Sequence, residues 1–278
     1  MCRRAGPLRP SIGSSPSSPP GKSRSSTVYR PTERGSERVG DLLPLGAIRQ
    51  RSEDVNLLTQ VVWHSLTGAH RGFSSGTDTI RRYAKGFSPI IGYATPEQPD
   101  FAGIEPYCDE GEHLYCGGWK GAVPAGWKLE EDSAAGQMVW EGDRPPEADF
   151  QRCVRLGPQH VPQIVALVAL TNPGPFGERT IELGEYFGIF EGDRLVAAAG
   201  ERFKVGELRE ISAVCTHPEF QGRGLARTLV SYLIGQQRNR GQTPFLHVMV
   251  DNATARSLYQ RLGFNWIQEL PVRVVTRG

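Results

Sequence analysis

The stretch Thr216-His217-Pro218-Glu219-Phe220-Gln221-Gly222-Arg223-Gly224-Leu225-Ala226 decides how this chain is read. Glu210 to Cys215 leads into it as a strand, and Leu225 to Arg240 leaves it as a helix. A strand, a glycine-bearing turn and a helix in that order build an anion site. The glycines let the backbone pass close to a ligand, and the helix N-terminus aims unpaired N–H groups at it. Such a site suits a phosphate or pyrophosphate, so a nucleotide-like ligand is expected.

Two familiar glycine loops do not fit. The P-loop needs a strand before its Gly-Lys-Ser/Thr, and Gly21-Lys22-Ser23 sits in a Pro/Ser-rich tail with none. The dinucleotide fingerprint G-x-G-x-x-G begins at Gly222-Arg223-Gly224, but Arg227 stands at its third glycine. What remains is Q-x-x-G-x-A, from Gln221 through Gly224 to Ala226. Downstream, Pro244 to Val250 is a short apolar run that reads as a buried strand, and Asp251-Asn252 breaks it. Ala253 to Leu262 reads as a helix stopped by Gly263, and Phe264 opens another strand.

The six-residue pattern resembles the coenzyme A pyrophosphate loop of the GNAT superfamily of N-acyltransferases. The run N-x-x-A-x-x-L-Y-x-x-L-G-F, from Asn252 to Phe264, resembles the second signature of that superfamily. Together they cover roughly residues 150–278. The surrounding elements agree with the order of such folds. Phe150 to Leu156 reads as a first strand, and Gln159 to Leu170 as a helix with Pro162 in its first turn. Glu185 to Glu191 and Leu195 to Phe203 form a hairpin around Gly192-Asp193, and Pro271 to Thr276 is a last strand. The resemblance implies an α/β (α+β) fold with a mixed, splayed β-sheet.

It also implies roles for individual residues. Val214, Cys215 and Thr216 lie on the strand along which the pantetheine arm of acetyl-CoA runs. The backbone N–H of Val214 is the donor to the thioester oxygen. Gln221, Gly222, Arg223, Gly224, Leu225 and Ala226 hold the pyrophosphate, and Asn252 touches the pantetheine. Glu210 lies eleven residues before Gln221, the offset of a catalytic glutamate in histone-type members, and is the expected general base. Its alternative role is a partner for Arg209 or Arg202. Tyr259 is the expected general acid toward the thiolate, and its alternative is packing between helix and sheet. A base matters most for a lysine-like amine, of which about one in 2,500 is neutral at pH 7; an α-amine is roughly 10% neutral. Strand alternation turns the Cys215 side chain away from Val214, as a buried inert thiol. His217 and His247 read as local hydrogen-bonding residues, while His64 and His70 are candidates to line a substrate pocket.

Composition bounds the rest. The chain has 278 residues and a formal net charge of +2. Residues 1–40 carry eight Lys/Arg and two acids and are rich in Pro, Ser and Gly, so they read as a disordered basic tail or a transit-like start. The remainder is therefore net acidic, which argues against a nucleic-acid partner. No apolar run long enough for a transmembrane helix occurs. Five scattered cysteines without a CxxC pair point to free thiols in a reducing cytoplasm, and their spacing suggests no metal. Residues 41–145 read as an N-terminal α/β unit with a helix at Ser52 to Leu66 and strands at Ser88 to Ala94 and Gln137 to Trp140. It holds Trp63, Trp119, Trp127 and Trp140 and is a candidate degenerate copy of the same fold. Asp143 to Glu147 reads as the linker to the GNAT domain at 146–278.

The expected activity is acetyl transfer from acetyl-CoA to a primary amine on a small or amino-acid-like molecule. The competing readings are a non-catalytic acyl-CoA-binding module and a protein-amine acetyltransferase whose N-terminal unit recognises the substrate.

Overall fold

Two fourteen-residue strands, β5 (Trp127–Trp140) and β11 (Phe264–Arg277), pair antiparallel at the centre of an eleven-stranded mixed sheet. The computed structural model describes residues 57–278. The basic tail read at 1–40 and the start of the helix read from Ser52 lie outside the described residues. Before β5 come α1 (Val61–Thr67), β1 (Ser74–Gly76), β2 (Ile80–Tyr83), β3 (Ile90–Tyr93), α2 (Phe101–Ile104) and β4 (His113–Gly117). After it come β6 (Val154–Arg155), α3 (Val161–Thr171), β7 (Tyr186–Glu191), β8 (Arg194–Val205), β9 (Leu208–Thr216), α4 (Leu225–Asn239), β10 (Thr243–Met249), α5 (Ala253–Arg261) and finally β11. The sheet order is β1-β2-β3-β4-β11-β5-β10-β9-β8-β7-β6. The boundary read near residue 146 thus falls between β5 and β6, two strands of one sheet.

The sheet curls around α1. Leu58, Val61 and Leu66 pack with Tyr83, Phe87 and Ile90 from the β2–β3 side and with Phe203, Leu208 and Phe245 from the β8–β10 side. β2 and β8 are far apart in the strand order, yet the Tyr83 and Phe203 rings stack with centroids 6.3 Å apart. Accumulated strand twist makes this approach possible. Ser65 ties α1 to β8, donating to the Lys204 carbonyl and accepting the Lys204 N–H. On the convex face, Leu225, Leu229, Leu233 and Ile234 of α4 cover Ile189, Ile211 and Leu246. This is the apolar stripe expected of a surface helix.

Three local expectations change. Phe150 to Leu156 is not one strand: Asp149 accepts the Gln151 N–H at 3.2 Å and caps a 3-10 turn at Phe150–Arg152, leaving a two-residue β6. Phe264 and Pro271 to Thr276 belong to one strand, β11. Pro271 is tolerated there because pairing with β4 begins only at Val272. The strand read at Gln137 extends back to Trp127 through the polar run Lys128–Ser133, which has no period-2 apolar pattern.

Candidate active site

β9 and β10 pair in parallel only from Leu208–Glu210 to Thr243–Phe245. Beyond that point β9 stays with β8 as far as Thr216, while β10 stays with β5 as far as Met249. A wedge opens between them, and its facing backbone groups lack a cross-strand partner. The β9 side carries a bulge. Ala213 has a φ of 52°. That is unusual for a residue with a Cβ, and the register to β8 slips there. The extra residue inverts the alternation. Val214 joins the convex core beside α4, while Cys215 joins Ile164 and Leu167 of α3 on the other face. Burial pushes the Cys215 thiol up to about 11, so it is not a thiolate at neutral pH. The Thr216 hydroxyl is buried with no partner among the described residues.

The loop after β9 turns on two glycines. Gly222 and Gly224 both have a φ of 75°, and a Cβ at either would touch nothing within 4 Å. This is the left-handed region, so their glycine identity is a backbone requirement, not a packing one. The first bond into α4 runs from the Thr228 N–H to the Gly224 carbonyl. The N–H groups from Gly222 to Arg227 have no protein acceptor among the described residues. Six such donors at the N-terminus of a fifteen-residue helix form an anion cradle. Gln221 closes the loop onto β9 by donating to the Thr216 carbonyl at 3.3 Å, and Arg223 stacks over Phe220. His217 caps the turn before the loop, accepting the Glu219 N–H at 3.3 Å.

α5 follows directly on β10. Tyr259 is buried, its ring edge-on to Phe264 with centroids 6.0 Å apart. Its hydroxyl makes no hydrogen bond among the described residues. Burial, and then neighbouring Cys215, push that hydroxyl well above the ordinary tyrosine range, so it keeps its proton. Asn252 caps α5 by accepting the Ala255 N–H at 3.0 Å.

Glu210 sits at the closed end of the wedge and is almost wholly buried. Arg202 grips it with two 2.9 Å hydrogen bonds, the Phe203 N–H donates at 3.2 Å, and His247 Nδ1 lies 2.7 Å away. Burial alone would raise its pKa. The Arg202 charge and then the His247 hydrogen bond outweigh this and hold the carboxyl at about 2. Of its two expected roles, the geometry displays the Arg202 partnership. Glu201 and Arg209 make the matching pair on the opposite face, 3.0 Å apart. Glu201-Arg202 and Arg209-Glu210 are mirror images across the hairpin, a signal the sequence carried. His70 bonds Tyr83 at 2.8 Å inside the α1 core, and His64 is half-buried on α1.

Known proteins share this architecture. A family model for FR47-like proteins matches residues 186–272, from β7 into β11. An N-alpha-acetyltransferase RimI of Mycobacterium tuberculosis is 32% identical over 125 residues, 42% of this chain and 73% of the relative. A solved GNAT-family protein of Novosphingobium aromaticivorans is 30% identical with a TM-score of 0.74, covering 80% of this chain and 98% of its own. The chain belongs to the GNAT family. Coverage of 80% exceeds what residues 146–278 supply, so the likeness to that GNAT protein includes strands before β6. A [ribosomal protein bS18]-alanine N-acetyltransferase of Salmonella typhimurium is 37% identical over 93 residues, and the chain spans 60% of its length. Among the described residues, no group of His, Cys, Asp and Glu is arranged to hold a metal, and no helix is long and apolar enough to cross a membrane.

Proposed function

We propose that this chain is an N-acetyltransferase that moves an acetyl group from acetyl-CoA to a primary amine. The observation that carries the reading is the row of unpartnered N–H groups from Gly222 to Arg227, beside a wedge with free backbone edges. A pyrophosphate satisfies the first and a pantetheine amide the second. Acetyl-CoA supplies the activated thioester. Gly222, Arg223, Gly224, Leu225 and Ala226 bind its pyrophosphate through backbone N–H groups, with Gln221 holding the loop. Val214 and Thr216 line the pantetheine path, the Val214 N–H donates to the thioester oxygen, and Asn252 offers its amide nitrogen. Cys215 packs beneath this path as an unreactive thiol. Tyr259 donates its proton to the departing sulfur. Burial keeps the phenol protonated at neutral pH, so the proton is in place when the sulfur departs.

The acceptor is proposed to be an α-amine. Two relatives named for acetylating alanine and N-alpha positions support this. Such an amine is already roughly 10% neutral at pH 7. A non-catalytic acyl-CoA-binding module would bind the cofactor without releasing CoA. An unbonded tyrosine hydroxyl on α5, the helix that follows β10, favours the enzyme.

Thermal unfolding tests the loop. Acetyl-CoA at a hundredfold excess over Kd stabilises by about 2.7 kcal/mol. For a unit of this size that raises Tm by roughly 5–10 °C. Gly224→Val forces a β-branched residue into left-handed backbone, at a cost of about 1–3 kcal/mol, and re-aims the N–H groups. The acetyl-CoA shift should then vanish. A shift of the wild-type size would overturn the loop assignment.

A further inference from the structure

His247 is the first concave-face side chain of β10 beyond its pairing with β9, two residues after Phe245. It therefore stands where the wedge opens. It also lines a cavity whose other walls are α1, β3, β4 and β11, including Val62, Trp63, Tyr93, Leu270 and Val272. No other described residue seen at the wedge reaches that cavity. The hydrogen-bond pattern fixes its proton. The Leu58 carbonyl can only accept, so the Gln137 atom 2.9 Å from it is the amide nitrogen. That nitrogen is also 2.9 Å from His247 Nε2, and Gln137 Oε1 accepts from Gln268 at 2.7 Å. His247 Nε2 is thus an acceptor, and its Nδ1–H donates to Glu210. A carboxylate holding one ring N–H fixes the tautomer and orients the lone pair of the other nitrogen.

We propose that this cavity is the acceptor site and that His247 Nε2, positioned by Glu210, takes the proton of the incoming ammonium. The N–H bond of the ammonium breaks, an Nε2–H bond forms, and the nitrogen keeps the electron pair with which it attacks. Gln137 gives up its bond to His247 and keeps the one to Leu58. The imidazolium rests against Glu210 and passes its proton to solvent through the cavity mouth. Charged groups at His247 are Glu210 from β9 and, behind it, Arg202 from β8. Among the described residues, β5, β11 and the turn before α1 present the Gln137 and Gln268 amides and the Leu58 carbonyl, and Phe203 and Phe245 stand edge-on.

The same cavity sets the acceptor class. Its volume is about 50 Å³. That is room for roughly four water-sized groups. Its walls are mainly apolar, and no carboxylate lines it. It fits a primary amine on a short apolar stem, either a free alkylamine or the first residue of a peptide. A second cationic group has nothing to pair with. The strands before residue 146 thereby contribute acceptor recognition.

This inference rests on the acetyl-transfer reading, and the experiment separates the two. CoA release is followed from pH 6 to 9 with propylamine and with an Ala-initiated peptide amide, for the intact chain and for His247→Ala, His247→Gln, Glu210→Gln and Leu270→Trp. Acetyl-CoA melting shifts are measured in parallel. At pH 7 His247→Ala should lower kcat/KM about 100-fold with the melting shift retained. The loss should shrink as pH rises, because the variant depends on amine already neutral in solution, whose fraction grows about tenfold per pH unit below the amine's pKa, up to about pH 8 for the peptide and across the whole range for propylamine. Glu210→Gln should move the profile the same way, which a purely structural role would not. Leu270→Trp should raise KM for both amines. A faster peptide identifies a protein terminus as the acceptor, and a faster propylamine a small molecule; either supports the site. Parallel pH profiles for His247→Ala and wild type, or silence toward both amines with the melting shift intact, would overturn the inference. Loss of the wild-type melting shift would instead overturn the cofactor reading.

Discussion

Arg202→Ala should cost about 3–5 kcal/mol of stability, the size seen when one member of a buried ion pair is removed. In a unit of this size that lowers Tm by on the order of 10 °C. Glu210 is only 1% exposed, and the lost guanidinium supplied two of its hydrogen bonds and its neutralising charge. Arg202 also stacks over Phe203 at 4.5 Å, so alanine removes packing as well as charge. Arg202→Met combined with Glu210→Gln should recover part of the loss, because no uncompensated charge is left buried. The wild type carries the same pair into its acid response. The carboxyl titrates at about 2 when folded and near 4.5 when exposed, so the unfolded chain binds more protons between those values. The contribution of Glu210 is full above pH 4.5 and fades as pH falls toward 2. Scanning calorimetry of the three proteins between pH 3 and 7 checks both statements. An Arg202→Ala loss below about 1 kcal/mol would show that Glu210 is not held as described.

Tyr259→Phe should lower kcat by about 10²–10⁴, the usual range for losing a positioned proton donor. Stability should change by less than about 1 kcal/mol, because the hydroxyl bonds nothing among the described residues and the ring keeps its contact with Phe264. The acetyl-CoA melting shift should also persist. Such a split separates catalysis from packing, the two roles open to a buried tyrosine on α5. Equal turnover by the variant would remove Tyr259 as the acid and leave it as core.

The candidate site was partly legible. Gly222 and Gly224 announced themselves because only glycine sits comfortably in the left-handed backbone they adopt. Asn252 and Gly263 marked the ends of α5 through ordinary capping chemistry. The Glu210 partnership was legible as one option among several. Choosing Arg202 over Arg209 needs the pleat, which sends neighbouring residues to opposite faces. Gln137 was invisible as a partner of His247, since the two are 110 residues apart and meet only where β5 pairs with β10.

The chain's local order determined the anion loop, the helix that follows it and the family resemblance, because each depends on residues a few positions apart. The tertiary structure decided what faces what. The bulge at Ala213 reverses alternation, so Val214 shares a core with Ile211 and Cys215 turns to the α3 side, and one inserted residue is enough because the side-chain period of a strand is two. The insertion of β5 between β10 and β11, and the curl that brings β2 against β8, joins the strands before residue 146 to the rest of the sheet. Those are long-range pairings set by twist and burial across the whole sheet, and no short window of sequence contains them.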